Sequence, residues 1–162
     1  MFDAYLKIEG IEGESTSAGY EGQIEIANFE HLVKQPSTVA ASTSGGATSG
    51  RTEHGDFTIT KQVDKASPLI YQKCSEGTHI GEVVLTLCRA AGGASVPFME
   101  FKLTNSIISK VVPSGDKTDI PVEDVSFNYG KIEWTYTQQK RKDGSGGGKT
   151  TGSWNLQTNT AK

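Results

Sequence analysis

Three histidines, His31, His54 and His79, are the side chains of this 162-residue chain best suited to proton transfer or metal ligation. No two of them stand two or four residues apart, and each falls in a different predicted strand or loop. A metal centre would therefore require all three to meet in space. Carboxylates gather at Glu9, Glu12 and Glu14 in a predicted turn and at Glu123-Asp124 ahead of a strand. Such pairs could act as acid and base in a cleft, but acids at turns are expected to be solvated. Cys74 and Cys88 match no zinc or redox spacing and are too few for a disulfide framework. Two buried, reduced thiols are expected, one on a helix and one on a strand.

The run Gly144-Ser-Gly-Gly-Gly-Lys149-Thr150 is the nearest approach to a phosphate-binding loop. That pattern needs glycine where Asp143 stands. It also needs a helix after the Lys-Thr, so that backbone N–H groups and the helix dipole meet the phosphate. Thr151-Gly-Ser-Trp-Asn follows instead, a turn into a strand. No Gly-x-Ser-x-Gly elbow is present. Lys140-Arg-Lys142 reads as a solvated cationic turn that protects a strand edge. No catalytic, cofactor-binding or metal-binding residue is therefore assigned, and no cofactor is expected.

The elements that would position any such group are strands, with one exception. Residues 57–61 and 82–88 read as strands flanking a short helix at 66–76. Ser67 is suited to cap it, Pro68 to its first position and Gly77 to the residue past its end. Ala66, Leu69, Ile70 and Cys74 recur at three- and four-residue spacing, which makes Leu69, Ile70 and Cys74 the expected packing face. A helix of about ten residues is marginal alone in water, so strands must cover that face. Residues 2–9 alternate Phe2, Ala4, Leu6 and Ile8 against Asp3, Tyr5, Lys7 and Glu9, the period of a half-buried strand. Ile24 and Ile26, then Phe29 and Val33, show a phase slip near Ala27, as at a bulge or bend. Residues 96–112 form a long β-rich run. Val125, Phe127 and Tyr129 alternate, Gly130 marks a bend, and Ile132, Trp134 and Tyr136 make a second alternating face. Six or seven strands with one helix predict a mainly β chain, an antiparallel barrel or sandwich formed as one domain over 1–162.

Residues 36–55 differ in kind: fifteen of the twenty are Ser, Thr, Gly or Ala, without apolar periodicity. An extended loop of this length in a compact domain is usually functional or disordered. The net charge of −3 argues against a nucleic-acid partner held by phosphate contacts. No apolar run approaches the ~20 residues that span a bilayer, so no membrane insertion is expected. The first residues begin directly with a strand pattern and show no signal-peptide regions. The chain is thus expected to fold in the cytoplasm, or to leave it by a route that reads no N-terminal signal.

Four segments together resemble a known family. Phe2-Asp-Ala-Tyr-Leu-Lys-Ile-Glu-Gly-Ile-Glu-Gly-Glu-Ser15 is similar to the start of the haemolysin-coregulated (Hcp) proteins of type VI secretion. Phe57-Thr-Ile-Thr-Lys-Gln-Val-Asp-Lys-Ala-Ser-Pro-Leu69, with Gly77-Thr-His79 and the strand ending Arg89-Ala90, resembles the family's central segment. The segments at 125–139 and 152–156 resemble its late signature and closing strand.

The resemblance implies a β-barrel with one short flanking helix, six copies closing into a ring, and rings stacked into a tube. That tube lies inside a contractile sheath beneath a spike protein. It further implies small effector proteins carried in the lumen and export without a signal peptide. Some relatives carry a C-terminal toxin domain, for which no room is expected beyond the last strand. The loop at 36–55 would project towards the next ring, with Ser42, Ser44, Gly46, Thr48 and Arg51 as candidate stacking residues. A ring formed this way uses two different patches of each subunit. A monomeric β-barrel that binds a small ligand is the alternative, and a hydrolase built on the scattered acids and histidines a third.

Overall fold

The computed structural model of this chain describes residues 1–38, 48–139 and 146–162. Among these, the order is β1 (Asp3–Ile8), β2 (Ile24–Glu25), β3 (Asn28–Glu30), β4 (Val33–Lys34), β5 (Ser37–Thr38), β6 (Thr48–Ser49) and β7 (Glu53–His54). There follow β8 (Phe57–Gln62), α1 (Ser67–Glu76), β9 (Ile80–Ala91), β10 (Ala94–Ser114), β11 (Val122–Gln139) and β12 (Gly146–Asn155). Eight strands make one antiparallel sheet in the order β2-β1-β9-β10-β11-β8-β3, with β12 also paired to β11. The fold is mainly β with a single short helix, as the sequence predicts.

The sheet curls because its two ends are consecutive in the chain. The Ile26 N–H bonds to Ala4 O of β1 at 2.9 Å, and the next N–H, that of Ala27, bonds to Thr60 O of β8 at 2.8 Å. The phase slip in the sequence is this corner, where the chain leaves one end of the sheet and joins the other. Inside the curl, Leu6, Ile24, Ile59, Leu85, Phe127 and Ile132 are among the fully buried apolar side chains. β10 and β11 run as one long ladder from Met99↔Tyr136 to Ser114↔Val122, with a register shift between Ile108 and Lys110. The ladder skips Asn105 and Gly130, where Asn105 takes φ 55° and the Gly130 carbonyl accepts from the Leu156 N–H.

Two expectations are corrected here. Tyr5, assigned to the solvent side of β1, is 5% exposed because the loop after β1 folds back over it. Its ring stacks on Tyr20 at 4.4 Å, and its hydroxyl donates to Ser17 Oγ at 2.9 Å. Phe2 is 44% exposed instead. The extended segment at 36–55 carries short ladders at its described ends: Val33 and Lys34 pair with His54 and Glu53, and Ser37 and Thr38 pair with Ser49 and Thr48. These ladders make a two-stranded arm separate from the main sheet.

Candidate functional site

α1 is where the sequence placed its packing face. The helix starts at Ser67 rather than one residue earlier, with Pro68 in its first turn. Gly77 closes it at φ 64°, a left-handed conformation that costs glycine nothing. The Gly77 N–H bonds to Cys74 O and the Thr78 N–H to Lys73 O, which satisfies two of the last carbonyls. Ile70 is fully buried, and Cys74 packs half-buried against the core, so it is not the buried thiol expected. Leu69 departs from the expectation: it is 43% exposed. Its side chain lines an open cleft of about 990 Å³ together with Ile8, Glu9, Ile11, Glu12 and Lys65. Spacing marks Leu69 and Ile70 alike, but neighbouring residues stand about 100° apart on a helix, and only Ile70 points into the barrel.

Ser67 is not the cap but one member of a buried polar cluster. Lys61 on β8 and Glu123 on β11 are cross-strand partners, 0% and 1% exposed. Lys61 Nζ lies 2.5 Å from Glu123 Oε1, 2.9 Å from Asp64 Oδ1 and 3.1 Å from Ser67 Oγ. Ser67 Oγ donates to Glu123 Oε1 at 2.7 Å, and the Tyr71 hydroxyl donates to Glu123 Oε2. Burial alone would push the Glu123 carboxyl up; the hydrogen bonds from Lys61, Tyr71 and Ser67 outweigh it and hold the group below its ordinary value. The Tyr71 hydroxyl is pushed up by burial and by that carboxylate. Glu123, expected to be solvated at a turn, is instead the acceptor that ties α1 to two strands. Asp124, beside it, is exposed and accepts from Thr60 Oγ1 at 2.6 Å.

The arm is anchored at its root. His31 lies between β3 and β4, and His54 ends β7. His31 Nε2 stands 2.7 Å and His54 Nδ1 3.0 Å from the hydroxyl of Tyr129, a buried residue of β11. The two imidazoles are 6.1 Å apart between ring centres, each about 6.2 Å from Trp134. Burial lowers His31 to about 4, helped by the neighbouring His54, and burial also lowers His54. Burial pushes the Tyr129 phenol up, as does the charge of Asp56. His79 takes no part; it is exposed and pairs with Asn105 Oδ1 at 3.2 Å. The three histidines do not converge, and among the described residues no group of three His, Cys, Asp or Glu is placed to hold a metal ion.

Of the candidate stacking residues, Ser42, Ser44 and Gly46 lie outside the described residues. Thr48 pairs with Thr38 on the arm. Arg51 is exposed and donates from Nη2 to Leu156 O at 3.3 Å, a second tie between the arm root and the barrel. The cationic run Lys140-Arg-Lys142 also lies outside the described residues, and Gly146–Asn155 continues as a strand where a phosphate loop would need a helix.

Chemically, these groups hold elements together. Lys61 and Ser67 have the separation of a base and a nucleophile, yet both are sealed from solvent and Lys61 is tied to two carboxylates. His31 and His54 each spend one ring nitrogen on the same phenol. The signal for both clusters was in the sequence only as residue types; no local spacing joins positions 61 and 123, or 31 and 129.

Comparison with known proteins agrees with this geometry. The family model described as the type VI secretion system effector Hcp matches residues 5–136. Protein hcp1 of Pseudomonas aeruginosa is 27% identical over 158 residues, 97% of this chain and 96% of the relative. The major exported protein of the same organism is 29% identical over 132 residues, 76% of this chain and 74% of that one. A solved structure of a type six secretion system protein superimposes with a TM-score of 0.92 at 29% identity, each chain covered in full. With a matched segment that runs from β1 to the end of β11, and with the curled sheet, single helix and arm in place, this chain belongs to the Hcp family of type VI secretion proteins.

Proposed function

We propose that this chain is the repeating subunit of a type VI secretion tube, in which six copies close into a ring and rings stack through the arm. The observation that carries this reading is the arm itself. It leaves the barrel as a separate two-stranded ribbon, yet is tied down at its root by His31, His54 and Arg51. Beside that root Leu32 and Val33 are 57% and 50% exposed. An ordered projection with exposed apolar residues at its base is suited to docking on another molecule. A head-to-tail ring needs two different patches on each subunit, and a lone barrel with a projecting arm supplies that asymmetry.

Sheath and spike components would surround and cap such a tube, and small effector proteins would ride in its lumen. The subunit is made in the cytoplasm and expelled with the tube, in keeping with the relative named for its export. It works by shape and copy number, without a reactive centre. The interior of its own curled sheet is filled by apolar side chains, which leaves the small-ligand carrier the weaker reading.

Static light scattering and negative-stain imaging test the proposal. The expected particle has six times the 17.3 kDa chain mass and shows a central hole end-on. A monomer at tens of micromolar, or solid particles without a hole, overturns it.

A further inference from the structure

We propose that His31, His54 and Tyr129 form a proton-operated latch that holds the root of the arm to the barrel wall and lets it go in acid. A phenol has one proton to give and two lone pairs. With both imidazoles on one Tyr129 hydroxyl, at 2.7 and 3.0 Å, one imidazole must accept the phenol proton while the other donates its N–H to the phenol oxygen. The closed latch therefore requires one neutral, accepting histidine. While one ring stays neutral it can switch tautomer and accept, but a proton on each imidazole leaves neither able to do so and turns both rings into donors. The phenol proton of a residue only 4% exposed is then left without a partner.

The surroundings offer that added charge little relief. Phe57 on β8 and Phe101 on β10 lie 5.2 and 6.4 Å from the His31 ring, and Tyr129 and Trp134 face it from β11. None of these carries a charge. Asp56, the carboxylate felt at Tyr129, is already engaged by Ser109 Oγ at 2.6 Å and Asn128 Nδ2 at 3.1 Å. Lys34 and Glu53 form the next cross-strand pair and, by strand alternation, sit on the opposite face from His54. Glu30 is likewise alternate to His31, and Arg51 reaches Leu156 O. The second histidine is the nearest potential cation, and it repels.

The latch joins residues 98 and 75 positions apart, and the arm shares no ladder with the main sheet. Opening it therefore loosens the arm root, with Arg51 on Leu156 O as its remaining tie, without breaking the barrel. If the opened root restores His31 from about 4 to its ordinary 6.5, the open fraction rises roughly twentyfold between neutral pH and pH 5.

Hydrogen exchange measures the opening, read as protection factors corrected for intrinsic exchange. Two amides report it: the Gly50 N–H bonded to Pro36 O and the Gly55 N–H bonded to Leu32 O. The experiment is run at pH 7.5 and 5.0, at a concentration where light scattering gives the same mass in both buffers. Amides of β9 serve as the reference. The expected result is a fall of tenfold or more at the arm root, with β9 unchanged. By NMR, His31 should titrate well below an ordinary histidine's 6.5. Tyr129→Phe should leave the root weakly protected at both pH values. His31→Gln, which can still accept the phenol proton and cannot titrate, should keep it protected at both. Unchanged wild-type protection at pH 5.0 overturns the latch, as does His31 titrating at its ordinary 6.5. Acid sensitivity undiminished in His31→Gln overturns it as well. The outcome does not depend on ring formation: a monomer with an acid-labile arm root would remove the tube reading and leave the latch standing.

Discussion

Lys61 and Glu123 show how much of this fold rests on single side chains. Each is buried, and each has the other as its main counter-charge. Removing one strands a charge in the interior, which costs about 3–5 kcal/mol, whereas removing both at once costs far less. Lys61→Met is therefore expected to be strongly destabilising, and Lys61→Met with Glu123→Leu to recover at least half of the loss; urea unfolding of the three proteins checks this. On the helix above them, Ile70→Ala should cost about 2–5 kcal/mol, because the methyl groups it removes sit in the closed core. Leu69→Asp, at the rim of the cleft, should cost about 1 kcal/mol or less and leave a soluble fold. Comparable losses at the two positions, measured by the same unfolding curves, would mean that the helix is rotated relative to the barrel.

Elements divide into those that build the barrel and one that only attaches to it. β8, β11 and α1 are interlocked by the Lys61 cluster, and β2 and β3 close the curl through consecutive N–H groups. The arm contributes no strand to that sheet. Deleting Ser42 to Gly50 is therefore expected to leave the thermal unfolding midpoint of the barrel unchanged and rings intact, while stacked rings disappear from negative-stain fields. Tubes of undiminished length in that variant would remove stacking from the arm's role. The sequence showed this segment as different in composition but gave no reason to pair its ends. Ser37, Thr38, Thr48 and Ser49 have no apolar alternation, and their ladder exists because the root is fixed on both sides by His31, His54 and Arg51.

At the scale of the whole molecule, the buried ionisable groups set how stability depends on pH. His31 has a folded value of about 4 against an ordinary 6.5, so the unfolded chain binds the proton first. Its contribution is complete above pH 6.5 and is lost as the pH falls towards 4, by at most about 1.4 kcal/mol per pH unit. The loss stops where the latch opens, because His31 then titrates as it does in the unfolded chain. Glu123 is held below its ordinary 4.5, so its contribution is present above that value and is lost as the pH falls through the folded one. Urea unfolding at pH 7.5, 5.5 and 4.5 should show stability declining already between the first two, above the ordinary 4.5 of the Glu123 carboxyl. A flat profile down to pH 5 would contradict the assignment of His31.

What the sequence determined by itself is local in origin. Alternation of Leu6 with Lys7 and Ile8, or of Val125, Phe127 and Tyr129, specifies strands because successive side chains point to opposite faces. Pro68 and Gly77 specify the two ends of the helix through their backbone preferences, and four ordered segments carry the family resemblance. Tertiary structure alone decided which residues meet. Tyr5 is buried only because Tyr20 returns over it, and Lys61 finds Glu123 across 62 positions. His31 and His54 share Tyr129 only because the arm root lands on β11. Periodicity tells each strand which face is apolar, but it is silent on which distant strand lies alongside and in what register, and those are the quantities that assemble a buried ion pair or a two-histidine latch.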